Sequence, residues 1–467
     1  MTKSDDGNTS KKVSTVELLD SQEIIENISY LVKEKDEPAL KNLLLDFHPA
    51  DLAVILQELP QDERFYLFNL LDAEAAPDVL AELDEVTRED IVEELSPHRL
   101  SELVEDMDSD DAADVLSELP DEMQEQVLAN IEPEERADVE KLLEHEEDTA
   151  GGIMAVEYIA AYVDQTVEEV IQEIRRRANE IGEIYYIYAI DREGRLVGVV
   201  PFKSLILHDP NCLIQEIMKQ DVISVTEDED QEEVARLARK YDLAAIPVVD
   251  DQNRLLGRIT IDDIVDVLHE EANEDMQRMA GITDEELLHE NSTMRISRNR
   301  LPWLLISFVG EMGSAFVLDH FNAAIEEIII SAFFIPVIMA TGGNAGIQSS
   351  TIVVRSLALG EGSVTGLWNR VIRELRVAML NGLLVGLLLF TVITLWKSNY
   401  EFGMVAGTAI LLVMINSAVF GALVPFALNK FEIDPAIATG PFITTANDIF
   451  GLLIYLGMAS LYLAYWR

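Results

Sequence analysis

One acidic side chain, Asp448, lies in a long and otherwise apolar stretch of the sequence. It is the only acidic or basic side chain between Pro435 and Trp466. A charge at the centre of a membrane-spanning helix costs roughly 2.5–3.5 kcal/mol on insertion scales, and such groups usually face a bundle interior or a water-filled path. Asp448 is therefore a candidate functional carboxylate, although hydrogen bonds from Asn447, Thr444 or a neighbouring helix would also account for it.

A second polar string, residues 341–350, interrupts another apolar stretch. Its glycines and the preceding Pro336 predict a loosened helix, whose freed carbonyls face other protein groups or a water-filled cavity. Close packing through small residues is an equally compatible interpretation. The string lacks the Gly-Lys-Ser/Thr ending of a phosphate-binding loop. The candidate pore-lining residues are Gly342, Gly343, Asn344, Gln348, Asn416 and Asn447.

Five apolar stretches are long enough to cross a membrane as helices. They are 301–318, which contains Glu311, 328–354, 377–396, 402–429 and 435–466. Four arginines lie between the second and third stretches: Arg355, Arg370, Arg373 and Arg376. By the positive-inside rule we expect a multi-pass protein of the cell membrane, with a cytoplasmic N-terminus and its C-terminus outside.

The charge of the chain is concentrated before the first span. Of 34 basic and 86 acidic side chains, 26 and 76 precede residue 300. Such a region repels nucleic acid and anionic lipid and favours cations as partners. The single cysteine, Cys212, excludes an intrachain disulfide, and the seven histidines show no metal-ligand spacing.

The region before the spans has two patterns. Short helical segments dominate residues 17–147, where Ala50 to Pro60 aligns with Asp110 to Pro120 and predicts an acidic superhelical stack. From Gly151 onward, strands alternate with helices in two similar units. The second unit, with Ala-Ile-Pro-Val-Val-Asp at residues 245–250 and Gly-Arg-Ile-Thr-Ile-Asp-Asp at 257–263, resembles a CBS (cystathionine β-synthase) domain; the first has Tyr185 to Tyr188 where Pro-Val-Val would stand.

The order of these parts resembles the MgtE family of magnesium channels and transporters. The resemblance rests on residues 147–152, Tyr185 to Tyr188, the second-span string, Asp434-Pro435-Ala436 and Asn447-Asp448. It implies a multi-domain membrane protein with an all-α superhelical N-domain, α/β tandem CBS domains, a connecting plug helix and a five-helix transmembrane domain. The expected boundaries are 1–16 for a disordered tail, then 17–147, 148–211, 212–268, 269–299 and 300–467.

The resemblance also implies a homodimer that carries Mg²⁺ along a path between its subunits and closes when cytoplasmic Mg²⁺ binds a sensor. Asp448 corresponds to the pore acid, with Thr444 one turn earlier. The residues that correspond to sensor acids are Asp110, Asp114, Glu232, Asp242, Asp263, Asp266, Glu271, Glu274, Asp275 and Asp434. CBS pairs often bind adenosine nucleotides, so ATP is a further expected ligand.

The sequence leaves three alternatives open. The first is a CBS-regulated transporter of another divalent cation, such as Co²⁺ or Mn²⁺, or of another solute such as an anion or osmolyte. The second is a membrane-anchored metal or nucleotide sensor without transport. An enzyme is the least favoured, because no nucleophile, base and orienting group can be assembled.

Overall fold

The computed structural model describes residues 22–177, 182–280, 282, 293–358, 364–431, 433–438 and 440–466. The tail expected at residues 1–16 lies outside these ranges. The chain divides into two compact units, Met1–Leu268 and His269–Arg467.

In the described part of the first unit, ten short helices precede the first strand. They are α1 (Gln22–Glu34), α2 (Glu37–Leu44), α3 (Pro49–Glu58), α4 (Gln61–Phe68), α5 (Ala75–Ala81), α6 (Glu85–Val92), α7 (Pro97–Glu105), α8 (Ser109–Ser117), α9 (Asp121–Leu128) and α10 (Pro133–Leu142). Their length follows from frequent start signals. Asp84 and Ser96, for example, cap α6 and α7 by accepting hydrogen bonds from Thr87 N and Arg99 N.

The helical stack buries one apolar face of each repeat. Leu52, Ile55 and Leu56 on α3 are buried, as are Val115 and Leu116 at matching positions on α8. This core is continuous with that of the second α/β unit, to which Ile246, Ile259 and Ile264 belong. The apolar residues that recur in the helical repeats therefore also hold the acidic stack against the second α/β unit.

Two α/β units follow, each built on a three-stranded sheet. The elements are β1 (Ala160–Tyr162), α11 (Val167–Arg176), β2 (Tyr186–Ile190), β3 (Leu196–Pro201), α12 (Phe202–Leu207), α13 (Ile214–Ile217), β4 (Val225–Thr226), α14 (Gln231–Tyr241), β5 (Ala245–Val249) and β6 (Leu255–Thr260). The sheet orders are β1-β2-β3 and β4-β5-β6. In both sheets the first pair is parallel and the second antiparallel, so the two units share one topology.

The remaining elements are mostly long helices. They are α15 (Ile261–Ala280), α16 (Thr293–His320), α17 (Asn322–Glu327), α18 (Ile329–Ala358), α19 (Val364–Lys397), α20 (Tyr400–Lys430), a 3₁₀ turn (Pro435–Ala438) and α21 (Pro441–Trp466). Five helices in the described residues are long and apolar enough to cross a membrane: Ile296–His320, Ile329–Leu357, Trp368–Lys397, Tyr400–Lys430 and Phe442–Tyr465. The five predicted spans are each recovered.

Two sequence-based expectations are corrected here. The fifth span does not begin at Pro435, because Pro435–Ala438 forms a separate 3₁₀ turn in which Asp434 Oδ1 accepts a 2.7 Å hydrogen bond from Ala436 N. In addition, α16 runs as one helix through the boundary expected at residue 300. The connector and the first span therefore share a helix.

The loosened second span is also corrected, since α18 is helical from Ile329 to Ala358, through Pro336 and all of its glycines. These glycines permit close approach instead. A Cβ at Gly421 on α20 would overlap the backbone of Gly346, and Gly386 and Gly407 meet in the same way between α19 and α20. Helix packing, one of the two compatible interpretations of the polar string, is therefore observed, and pore lining stays a prediction.

Candidate cation sites

The carboxylate of Asp448 is held by its sequence neighbour in α21. Asn447 Nδ2 lies 3.0 Å from Asp448 Oδ1 and donates a hydrogen bond to it. The same amide group also donates to Met339 O of α18 at 3.0 Å, and Asn447 Oδ1 accepts from Ser417 Oγ of α20. Three helices therefore converge on a buried Asn447, which fixes the position of the half-buried Asp448.

The two glycines predicted to line a pore surround Asn447. A Cβ at Gly342 would lie 2.5 Å from Asn447 Oδ1, and one at Gly343 would lie 3.6 Å from Asn447 Nδ2. Both glycines are buried within the chain. Their contribution is thus to let α18 approach α21 closely enough for the Asn447 hydrogen bonds to form.

The other predicted pore residues differ in exposure. Asn344 and Gln348 are exposed on α18, one turn apart, and Asn416 on α20 is half-buried. Thr444 lies one turn before Asp448, and its hydroxyl donates to Gly440 O at 3.4 Å. Thr444 and Asp448 therefore share a face of α21, while Asn344 and Gln348 form an exposed polar edge of α18.

A second group of acids lies where the C-terminal part of α15 meets the 3₁₀ turn. Arg278 Nη1 lies 2.7 Å from Asp434 Oδ2, and the same guanidinium forms an ion pair with Glu274. Burial, followed by the charges of Asp434 and Glu271, raises the pKa of Asp275 to about 6. The four acids predicted for this region are therefore brought together, with an arginine among them.

That arginine is absent from the sequence-based site. The available signal was its position four residues after Glu274, where opposite charges meet on a helix. Its contact with Asp434, 156 residues away, required the fold.

A third group of acids lies between α8 and the start of α15, within the first unit. Burial raises the pKa of Asp110 well above its usual range, and the charges of Asp263 and Asp111 add to this shift. Burial also raises the pKa of Asp263, although Thr260 N and Oγ1 donate to its carboxylate at 2.9 and 2.8 Å. The predicted sensor acids Asp110 and Asp263 thus lie close to each other.

Sequence reasoning missed Asp111, the residue next to Asp110. Burial, followed by the charges of Asp263 and Asp114, raises the pKa of Asp111 to about 7. The pKa of Glu82 on the loop after α5 is also raised, by burial and then by the charge of Asp266. The acidic first turn of α8 was visible in the sequence, but which of its carboxylates are buried depends on the docking of the helical stack.

Two further predicted sensor acids lie at opposite ends of one helix. Glu232 lies in the first turn of α14, whereas Asp242 ends that helix in the left-handed conformation with φ 52°. They are ten positions apart in sequence, which is about 15 Å along the helix axis. Among the described residues no three His, Cys, Asp or Glu side chains converge closely enough to hold a metal ion.

Comparisons with known proteins find the helical domain, the CBS pair and the membrane domain in the order expected from the sequence. A family model described as the MgtE divalent cation transporter matches residues 335–458, one of the MgtE intracellular N domain matches 47–148, and one of the CBS domain matches 150–210 and 214–270. The described residues thus combine a helical domain and a CBS pair with five helices of membrane-spanning length, which defines a multi-pass membrane transporter.

The relatives extend over nearly the whole chain. The magnesium transporter MgtE of Thermus thermophilus is 36% identical over 437 residues, covering 92% of this chain and 97% of the relative. That of Bacillus subtilis is 32% identical over 442 residues, covering 94% and 98%. A crystal structure of the cytosolic domain of the Mg²⁺ channel MgtE in complex with ATP is 40% identical, with TM-score 0.50, and covers 52% of this chain and 99% of that one.

The chain belongs to the MgtE family. The expected resemblance and fold class are thereby confirmed, as is the expectation of a transporter rather than an enzyme. Membership also removes the alternative of a sensor without transport.

Proposed function

We propose that this chain is a Mg²⁺-selective, channel-like transporter whose opening is controlled by cytoplasmic Mg²⁺. The observation that carries the proposal is the support of Asp448 by Asn447, which ties one mid-span carboxylate to three helices. Both relatives compared over most of the chain are magnesium transporters by name.

The chemistry of Mg²⁺ suits a site of this kind. Mg²⁺ prefers an octahedron of oxygens, releases its waters reluctantly, and is commonly bound through one or two carboxylates with several waters retained. A hydrated ion can therefore be recognised at Asp448, with the backbone carbonyl of Thr444 as a further acceptor, without a cage of three or more acids.

Gating follows from repulsion among the acidic groups. Two carboxylates about 4 Å apart repel by roughly 4 kcal/mol at an effective dielectric of 20. Taking a two-state gate from mostly open to mostly closed requires about 5.5 kcal/mol of differential binding. Mg²⁺ bound at Asp110 and Asp263, and at Glu274, Asp275 and Asp434, would supply this by drawing the acids together; Glu232 and Asp242 are assigned to separate sensor positions.

The assembly we propose is a homodimer with the ion path between two copies. In a single chain Asn344 and Gln348 form an exposed polar edge in the middle of a span, and a second copy would cover it. The acidic unit and the arginine-rich segment after α18 are assigned to the cytoplasm and the C-terminus to the outside. The domain boundaries given above are kept as part of this proposal, except that the helix of the first span begins at Thr293.

ATP is assigned to the CBS pair as a regulatory ligand. The support is the 40% identity with a cytosolic domain whose structure contains ATP. Isothermal titration of the full-length protein with ATP tests the assignment, and an absence of heat at millimolar ATP would remove it.

The pore assignment is tested by replacing Asp448 with Ala and measuring Mg²⁺ uptake into liposomes with an entrapped indicator. We expect uptake to be abolished while the protein still inserts and elutes as the wild type does. Asp319→Asn, an exposed acid at the end of the first span, is the matched control and should transport normally. Near-normal uptake by the Asp448 variant would overturn the proposal.

The gate is tested with the double variant Asp263→Asn, Glu274→Gln. Patch recordings should show a conductance that stays open at cytoplasmic Mg²⁺ concentrations that close the wild type. Closure at the wild-type concentration would remove the sensor role. Parallel uptake of Mn²⁺ and Co²⁺ decides between Mg²⁺ and another divalent cation as the main substrate.

A further inference from the structure

The first span carries an acidic side chain that the proposed mechanism does not use. Glu311 is exposed in the middle of α16, and its neighbours Phe308, Val309 and Met312 are exposed apolar residues. A carboxylate facing lipid at this depth is unfavourable, and such residues usually face a cavity or partner. The position of Glu311 therefore requires positive charge or water close by.

Glu311 lies against the proposed ion site. Its carboxyl group is in hydrogen-bonding contact with that of Asp448. Two carboxyl groups meet in this way only where a shared proton or a bound cation offsets the repulsion between their charges.

The contact depends on two glycines that flank Glu311. A Cβ at Gly310 would overlap Thr445, and one at Gly313 would lie 3.0 Å from Ile449 Cδ1. Helices α16 and α21 thus approach closely at the level of Asp448, because Gly310 and Gly313 have no side chains. This geometry is set by helix packing and is independent of the two charges.

A second polar group lies one turn further along α16. Ser314 is only 6% exposed, and its hydroxyl has no hydrogen-bond partner among the described residues. Residues three apart share a helix face, so Ser314 is on the side of α16 that carries Glu311. A buried hydroxyl without a partner is costly, and a hydrated cation next to it would satisfy it.

We propose that Glu311 is a second carboxylate of the Asp448 ion site and sets its preference for divalent over monovalent cations. The electrostatic attraction of a site grows with ion charge, so a second carboxylate favours Mg²⁺ over K⁺. The inference rests on the proposed function, because it assigns Glu311 to the site built on Asp448.

The test compares Glu311→Gln with Glu311→Asp in liposome uptake of Mg²⁺ and K⁺. Glutamine keeps the size and hydrogen-bonding capacity of the side chain and removes its charge. We expect Glu311→Gln to raise the half-saturating Mg²⁺ concentration about tenfold or more and to lower the Mg²⁺-to-K⁺ uptake ratio. Glu311→Asp should keep the uptake ratio close to the wild type. The ratio is internal to each sample, so a lower yield of folded protein does not change it.

The control variant changes an acid that lies outside the spans. Glu326→Gln, at an exposed acid that pairs with Asn322 outside the spans, should leave both measurements unchanged. If Glu311→Gln keeps the wild-type half-saturation and ratio while Asp448→Ala is inactive, the inference is wrong and the pore assignment stands. If Asp448→Ala transports normally, the proposed function itself fails.

Discussion

Arg278 Nη1 lies 2.7 Å from Asp434 Oδ2. A guanidinium therefore lies among the acidic side chains where α15 meets the 3₁₀ turn before the last span. The same side chain pairs with Glu274. This arginine acts as an internal counter-ion, because it neutralises acids that would otherwise require a cation from solution.

Replacing Arg278 by Gln should make the protein more dependent on Mg²⁺. The ion pair is partly exposed, so its loss costs about 1 kcal/mol or less and lowers the melting temperature of the full chain in EDTA by about 2 °C. Added Mg²⁺ should raise that temperature more in the variant than in the wild type. Equal Mg²⁺-induced shifts would contradict the role, and Arg99→Gln, an exposed helix-surface pair with Glu102, serves as the control.

Asn447→Ala should lower Mg²⁺ uptake strongly although the residue carries no charge. The change leaves Ser417 Oγ and Met339 O without their partner and frees the Asp448 carboxylate to move. Supporting residues of metal sites commonly contribute 10-fold to about 100-fold, so we expect a loss in that range at low Mg²⁺. Thr408→Ala, whose hydroxyl bonds only to Met404 O of its own helix among the described contacts, should transport normally.

Gly421→Ala should destabilise the membrane unit, because the new Cβ would overlap the backbone of Gly346. Overpacking of this kind costs about 1–3 kcal/mol. Gly457→Ala is the matched comparison, since nothing lies within 4 Å of its Cβ position, and it should be neutral or stabilising. Thermal denaturation in detergent separates the two, and equal melting temperatures would refute the packing role of the glycines.

The free energy of unfolding should fall as pH rises through the range in which Asp110 and Asp111 lose their protons. Carboxylates whose pKa is lowered on folding have the opposite effect. The pKa of Asp111 is raised to about 7 in the folded chain, against about 3.9 when unfolded, and that of Asp110 is also raised. The folded state therefore holds extra protons, and this stabilisation is complete below pH 4 and is lost as pH rises through 7.

In EDTA the wild type should thus melt at a lower temperature at pH 8 than at pH 6. Mg²⁺ competes with these protons, so the stabilisation it produces should be larger at pH 8. Asp111→Asn should flatten the pH dependence, whereas the exposed Asp46→Asn should not. A Mg²⁺ effect of equal size at both pH values would contradict the assignment of this group as a sensor.

The large elements were predictable because single physical signals specify them. Membrane spans follow from uninterrupted hydropathy, and Ala245–Val249 and Leu255–Thr260 follow from β-branched runs around an Asp-Gln-Asn turn. The edge strands β1 and β4 were missed, since three and two residues carry too little pattern. Pro336 and the glycines predicted a loosened helix because their intrinsic preferences ignore the packing that keeps α18 intact.

The sequence predicted which residues belong to the candidate sites but not which of them contact each other. Asp448 was visible as a lone charge, whereas its contact with Glu311 depends on the crossing of two helices distant in sequence. Likewise Asp110 was expected, but the burial of Asp111 depends on docking. Local patterns identify which groups carry charge, and only tertiary structure decides which charges meet.

The lengths of α19 and α20 have a consequence for the surrounding lipid. At 34 and 31 residues they extend for about 51 and 46 Å, against a hydrocarbon thickness of about 30 Å. They pack closely at Gly386 and Gly407, so a tilt of α20, whose uncharged stretch 402–429 is longer than the hydrocarbon is thick, would involve α19 as well. We therefore expect the acyl-chain length of the lipid to affect the position of α20. That helix also carries Ser417, whose hydroxyl donates a hydrogen bond to Asn447.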